Sequence, residues 1–536
     1  MKLQPNEIYE EYQRGVQHKA SLGKHGLFEQ NKINERFFIG DQWYGANCGN
    51  DRPLVRHNII RRIGDYKISF LLSGENKIKY SAAGVFTTSE KQREIRALKK
   101  RLAFRELEGV EALDRENENS LMLSALSQYA GTVSGRVGFA ALLEQVLRSA
   151  FVSGTGILYT YWDTDADTGL YTKSTGSRIK GEIACQALKI ENVCFGDPYC
   201  ENVSDQPYII IASHMNVQDV IVRARRFGAG ATALARIENS AVNGKILVLT
   251  RLHKENVDGE THILATQVCR GGVIRNLWDT RLHRYPLAKF SWDRRGECPY
   301  GESEVTYLIP NQIALNRMIT ANVWSGMANG MPIMLVNGDT VTGEITNDPG
   351  QIIKIYGSNE DVSNAVKYVS PPDFADKFQY TVDSLIKNTL NQSGANEAAL
   401  GEMEANNATA IQRLNTAAML PLTAMRKRYY AFLEEIALIW ADFWMTQYKN
   451  RELEIVDENG MWYLPFNAAR YKNLKLYAKI ETDEGENAQH LTEVLNKLYD
   501  KGEIDAKTYV EALPNSVLES KQELIFALKE KENDRK

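Results

Sequence analysis

The stretch Tyr300–Leu335, YGESEVTYLIPNQIALNRMITANVWSGMANGMPIML, constrains this chain more than any other. It is long, mostly apolar or small, and ends in Gly330 and Pro332. A membrane span, a buried core helix and a helix that packs against copies of itself are the structures open to it. Lipid is a poor solvent for it. Asn311, Gln312, Asn316, Arg317 and Asn322 fall between Val305 and Met327, whereas a span needs ~20 predominantly apolar residues and each such polar group is costly in hydrocarbon. At about 100° per residue, Leu315, Met318 and Ile319 share one face, and Ile313 and Trp324 share another, roughly opposite. Apolar groups on opposing faces require neighbours on both sides. Burial in the middle of one chain meets that demand. So does a closed ring, in which the preceding and following subunits flank the helix. The pattern leaves both open.

The rest of the chain reads as α+β. The first ~35 residues carry Ile8, Tyr12 and Val16 at helical spacing. RHNIIRRIGDYKISFLLSG predicts a helix ending at Gly74, with Ile59, Ile60, Ile63, Ile68 and Leu71 inward. A charged helical region covers 88–130, and GFAALLEQVLRSAFVSG is an amphipathic helix stopped by Gly154. GILYTYWD, EIACQALKI, PYIIIAS, KILVLTRL, HILATQV and LAKFSWD are strand signals. NVQDVIVRARRF interrupts them as a short helix with Asn216 as its N-cap candidate. After the central helix come a short β-like insert, a helix over FADKFQYTVDSLIKNTLNQ and a loop, SGANEAALGEMEANN. A long helix is expected from Ala408 to Tyr448, kinked at Pro421. RELEIVDENGMWYLPF predicts a hairpin around Glu458–Gly460, followed by the strand NLKLYAKIE. Short helices are expected from Glu486 onward.

Length and charge narrow the function. At 536 residues several structural units are expected. A formal net charge of -4 argues against tight electrostatic adhesion to nucleic acid, since no strongly basic domain stands out. The six cysteines (Cys48, Cys185, Cys194, Cys200, Cys269 and Cys298) contain no C-x-x-C pair, and free thiols in a reducing compartment are expected. No apolar signal-peptide core opens the chain. There is no P-loop, G-x-S-x-G turn or H-E-x-x-H motif. No enzymatic activity, cofactor or metal is expected. The strongest chemical alternative is DTDAD, where Asp163, Asp165 and Asp167 have the D-x-D spacing of a metal-dependent transferase. A hairpin turn also explains that composition, and two carboxylates without further ligands make a poor metal site. His214, His253, His262 and His283 lie among strands and turns and read as structural or exposed.

The order of segments resembles the portal proteins of tailed bacteriophages. The resemblance runs through NERFFIGDQW with RHNIIRRIGDYKISFLLSGE, ENVCFGDPYCENVSDQPYIIIASHMNVQDV, YGESEVTYLIPNQIALNRM with its G-x-S…Q…N pattern, ALGEMEANNATAIQRL, and KLYDKGEIDAKTYVEALP…ESKQELIFALKEKE. It implies N-terminal helices and an α+β wing over 1–302 and a stem helix over 303–328. It then implies a clip over 329–371, a return stem helix over 372–392 and a tunnel loop over 393–407. A long kinked helix with wing strands over 408–485 and crown helices over 486–536 would complete the chain.

The resemblance also implies a homo-oligomeric ring, commonly a dodecamer, at one capsid vertex of a virion assembled in the host cytoplasm. Double-stranded DNA would pass through it during packaging and ejection. Its partners would be a terminase motor, a head-completion or adaptor protein, and capsid and scaffolding proteins, with no membrane. The DNA-channel candidates are Lys387, Asn391, Gln392, Asn396, Glu397, Glu402, Glu404, Asn406 and Asn407. No Lys or Arg lies between Ser393 and Asn407, and carboxylates repeated around a ring would repel a sliding phosphate backbone. An ordinary solvated acidic loop has the same composition. Lys354, Tyr356 and Lys367 are the clip candidates. Ile313, Leu315, Met318, Ile319 and Trp324 are the subunit-interface candidates. A pore-forming or scaffold assembly without a nucleic-acid role is a third reading.

Overall fold

The computed structural model describes residues 4–44, 54–74, 76–82, 109–171, 178–257, 259–329, 354–357, 366–369, 375–395, 420–448, 450–457, 460–467 and 476–482, with shorter pieces within 333–342 and 492–513. The chain is α+β, with helices and antiparallel sheets in two compact units. The first comprises Met1–Gln30, Ile68–Ser303 and Thr423–Lys536; the second comprises Asn31–Lys67 and Glu304–Leu422. Among the described residues no helix is long and apolar enough to cross a membrane.

The first unit contains helix α1 (Pro5–Ser21), and helix α2 (Gly26–Ile39) begins within it. Helix α3 (Ile59–Leu72) ends in it, two residues before the left-handed Gly74, and strand β1 (Asn76–Ala82) follows. Helices α4 (Gly109–Val137) and α5 (Phe139–Ser153) come next. Strands β2 (Thr155–Tyr171), β3 (Arg178–Leu188) and, later, β9 (Leu287–Ser291) form a sheet in the order β3-β2-β9. A second sheet orders β4 (Val193–Phe195), β5 (Tyr208–Asn216), β6 (Lys245–Val257), β7 (Glu260–Cys269) and β8 (Gly272–Asp279) consecutively.

Alternation along those strands separates two cores. Ile246, Val248, Cys269 and Ile274 meet Val220, Ile221, Ala224 and Ile237 from helices α6 (Val217–Arg226) and α7 (Ala231–Asn239). Ile210, Ala212, Leu249 and Val268 meet Ile8 of α1, flanked by Tyr9, Tyr12 and Val16. Each expected strand of this region is present, and strands β4 and β8 and helix α7 are additional. Asn216 does stand at the N-cap of α6, but its amide donates to the Asp219 carboxylate (3.4 Å) and its side chain caps no backbone N–H.

One expectation changes here. The DTDAD segment lies within β2, which runs through Tyr171, so the Asp residues belong to a strand. The register slips between Asp163 and Asp167, and the Asp163 carboxylate accepts from Asp165 N (3.0 Å). A side chain standing in for a ladder bond is what an Asp-rich bulge offers. The long C-terminal helix, α10 (Thr423–Gln447), is described only from Thr423, and Pro421 precedes it in a 3₁₀ turn, Leu420–Leu422. Residues 401–419 lie outside the described set.

Helix α10 is buried on most sides, with Tyr429, Ile436, Ala437, Trp440 and Trp444 essentially inaccessible. A buried carboxylate anchors its far end. Glu182 of β3 accepts from Tyr129, Tyr448 and the Arg136 guanidinium (2.6 Å). Strand β14 (Asn450–Asp457) turns into β15 (Gly460–Asn467) with Asp457 opposite Gly460, as the hairpin signal predicts. Strand β16 (Leu476–Thr482) pairs with β1. The five described cysteines are unpaired; Cys48 lies outside the described residues, as does most of the chain after Glu486.

Candidate functional site

The second unit is built on helix α8 (Glu304–Asn329), the central segment of the sequence. Two small antiparallel pairs follow. Strand β10 (Ile333–Val336) pairs with β13 (Val366–Val369), and β11 (Val341–Thr342) with β12 (Lys354–Ile355). Helix α9 (Ala375–Ser393) returns antiparallel to α8: Asn311 Nδ2 donates to Thr389 Oγ1 (3.2 Å), and Asn322 Nδ2 to Gln379 Oε1 (3.4 Å). Helices of these lengths extend ~39 Å and ~28 Å.

The basal half of α8 is locked by polar side chains. Gln312 is fully buried and Asn316 nearly so. Gln312 Oε1 accepts from Ile59 N (3.0 Å) and, at the limit of contact, Ile60 N (3.4 Å), while its Nε2 donates to His57 O (2.7 Å) and Asn316 Oδ1 (2.9 Å). Asn316 Oδ1 also accepts from His57 N (3.1 Å), and its Nδ2 donates to Gln42 Oε1 (2.6 Å). One turn on, Thr320 Oγ1 accepts from Val55 N (3.2 Å). Positions 312, 316 and 320 form one i, i+4 stripe. Along it lies an extended segment that ends where α3 begins.

The same contacts cap α3. Asn58 Oδ1 accepts from Arg61 N (3.1 Å) in the usual N-cap manner. Gln312, from another helix, covers the donors before it, which a helix start leaves unpaired. At the foot of α8, Lys67 and Glu304 form a buried ion pair (2.6 Å), and Asn34 Nδ2 donates to Thr306 Oγ1 (3.0 Å). Glycine and serine of the G-x-S…Q…N pattern have structural work as well. A Cβ on Gly301 would meet Gly154 O at 2.3 Å, and Ser303 Oγ donates to Phe151 O (2.7 Å). Sequence reasoning used Gln312 and Asn316 to exclude lipid and to mark a pattern, and missed their clamping role. Buried-type spacing of two amides was the available signal.

The distal half differs. Val323 (39%), Trp324 (40%) and Met327 (52%) are exposed, as are Leu335 (52%) on β10, Tyr356 (65%) beside β12 and Tyr380 (76%) on α9. Of the interface candidates, Leu315 is 1% exposed and is covered by its own chain, so it needs no neighbour. Ile313, Met318 and Ile319 are half-buried. Ile313 lines a cleft of about 420 Å³ with Arg36, Phe37, Trp43, Tyr44 and Arg317, in which the Arg36 guanidinium lies 3.5 Å from the Tyr44 ring centroid.

Lys387, Asn391 and Gln392 are exposed on α9. Asn396, Glu397, Glu402, Glu404, Asn406 and Asn407 lie outside the described residues. Lys354 pairs opposite Thr342, and Lys367 opposite Leu335. Among the described residues, no third metal-binding side chain joins Asp163 and Asp165, and the side chain of Asp167 lies outside the described set.

No protein-family model matches this sequence, and no curated protein matches it. Among solved structures, the chain is similar to one described as "Virion of native gene transfer agent (GTA) particle". The TM-score is 0.33 and the identity 11%, over 70% of this chain and 80% of that one. A likeness this weak carries no argument about activity.

Proposed function

We infer that this chain is a ring-forming portal subunit of a virion, through which double-stranded DNA is packaged and released. The supporting observation is the asymmetry of the helical hairpin. Its base is clamped by buried amides, whereas its distal part carries Val323, Trp324 and Met327 toward solvent. Exposed apolar groups on one half of a helix mark a contact surface, and a ring of copies supplies a neighbour on each flank. The half-buried Ile313 lies on the Trp324 face of the helix and the half-buried Met318 and Ile319 on the opposite face, as contacts on both flanks require, and this reading takes the β insert between the helices as a clip. The order of sequence segments supports the same reading. The tunnel-loop carboxylates, a terminase motor and a head-completion protein at the clip belong to this proposal. So do the virion location and a non-enzymatic role.

Mass photometry and negative-stain microscopy of the purified chain test it. The expected species is a closed ring with a central opening wide enough for a duplex, about 20 Å or more across given the groove dimensions of B-DNA. Trp324→Ala is expected to weaken assembly while the monomer keeps its fold. A stable monomer at high concentration, or a ring without an opening, overturns the reading.

A further inference from the structure

The geometry points to a metal site in the first unit, independent of the portal reading: Glu260, His262 and His283 converge to hold a divalent transition-metal ion of the zinc class. Glu260 opens β7 and His262 follows two residues later, so alternation puts both on one face. Asp279, at the end of β8, stands opposite Leu264 of β7, and its Oδ2 lies 2.8 Å from His262 Nδ1. The chain then turns back along β7. Thr280 N and Oγ1 both donate to Ile263 O (3.1 and 2.6 Å), and Ile263 N donates to Leu282 O (2.7 Å). Arg281 takes a left-handed φ of 63° there, and its N–H donates to Asp279 Oδ1 (2.6 Å). This turn delivers His283 beside His262, with ring centroids 5.4 Å apart and planes at 88°.

Asp442 of α10 holds the second imidazole. Its Oδ1 lies 2.8 Å from His283 Nδ1, and its Oδ2 accepts from His283 N (2.7 Å) and Arg284 N (3.1 Å). Each Nδ1–H is thus donated to a carboxylate, which fixes the tautomer and turns the Nε2 lone pair the other way. Both Nε2 atoms lie 3.7 Å from the same Glu260 Oε2, and the three ligand atoms lie within 4.8 Å of one another. At 3.7 Å these are not hydrogen bonds. Ligands about 2.1 Å from a tetrahedral ion sit about 3.4 Å apart, so small side-chain rotations close the site. Outer carboxylates orienting ligating imidazoles are the usual support of such centres. Two imidazoles and one carboxylate suit zinc or cobalt rather than the oxygen-only preference of calcium and magnesium. Glu260 and His283 side chains are 44% and 39% exposed, leaving the site open to solvent.

The experiment uses the full-length chain after chelation and dialysis. Cobalt(II) is titrated and followed by its visible absorption, then displaced by zinc, with zinc affinity measured by calorimetry. One ion per chain is expected, with a tetrahedral-type cobalt band. Glu260→Gln and His262→Gln, each checked for an unchanged metal-free circular dichroism spectrum, should lower affinity at least 100-fold. Asp279→Asn leaves all three ligands in place and should weaken binding about 10–100-fold. Should either ligand variant fail to fold, the other and Asp279→Asn decide. No cobalt band in the wild type, or zinc binding unchanged in the ligand variants, overturns the site.

Discussion

Replacing Gln312 by leucine should detach the base of the hairpin. Leucine keeps most of the volume but removes both amide functions. It leaves His57 O without its 2.7 Å donor and Ile59 N without its 3.0 Å side-chain acceptor, while Asn316 loses a 2.9 Å partner. Ile59 N retains only a contact to His57 O (2.9 Å) within the turn. Leaving a buried polar group unsatisfied costs about 1–3 kcal/mol, and an N-cap contact about 1 kcal/mol. With two backbone groups affected and some relief from leucine's apolar burial, a net loss of about 3 kcal/mol is expected. Native-state hydrogen exchange reads this locally. Protection of the Ile59 and Ile60 amides should fall about 100-fold, since 1.4 kcal/mol is a factor of ten, while amides of the five-stranded sheet keep theirs. On the proposed ring reading the same variant should also assemble less well, because the clamped base positions the distal half of the helix. Protection at Ile59 within threefold of wild type would refute the clamp.

Gly301→Ala forces a Cβ to within 2.3 Å of Gly154 O and 2.8 Å of Asp293 O. Because both atoms are backbone, a loss of about 2–3 kcal/mol is expected in urea unfolding, and an unchanged midpoint would contradict the packing. Burial pushes Lys289 down to about 8, although its amine donates to Glu201 O and Pro299 O. The unfolded chain therefore binds more protons between about pH 8 and about pH 10.5, and stability should rise across that window by up to about 3 kcal/mol. Lys289→Met should lack this rise, and equal slopes in the two proteins would refute the assignment. If the proposed portal function holds, converting Glu402 and Glu404 to lysine should slow DNA movement through the ring without preventing ring formation. An unchanged packaging rate at low salt would remove the loop from the mechanism.

Much of the local architecture was legible because it depends on short-range rules. Gly154, left-handed at φ 82°, ends α5 as the apolar periodicity predicts, and the inward residues of α3, from Ile59 to Leu71, are all buried. Strands β5, β6 and β7 of the five-stranded sheet follow from β-branched runs between turn residues, whereas β4 and β8 were not among the expected strands. What pattern could not resolve was which groups meet across long sequence separations. Leu315 and Trp324 both looked like interface residues, yet the first is enclosed by its own chain and the second is exposed. Periodicity gives the angle around a helix and says nothing of where cover ends along it. DTDAD looked like a turn because Asp composition is shared by turns and bulged strands.

The scattered histidines illustrate the same boundary. Sequence determines that His262 lies two residues from Glu260 on a strand, and therefore on its face. Only tertiary structure brings His283, Asp279 and Asp442 to that face, through a left-handed turn at Arg281 and a helix that begins 142 residues after it. Secondary structure is set by the sterics and hydrogen bonding of neighbouring residues, so it can be read in order. A site is set by distances in space, which fall within bonding range only after the core has packed.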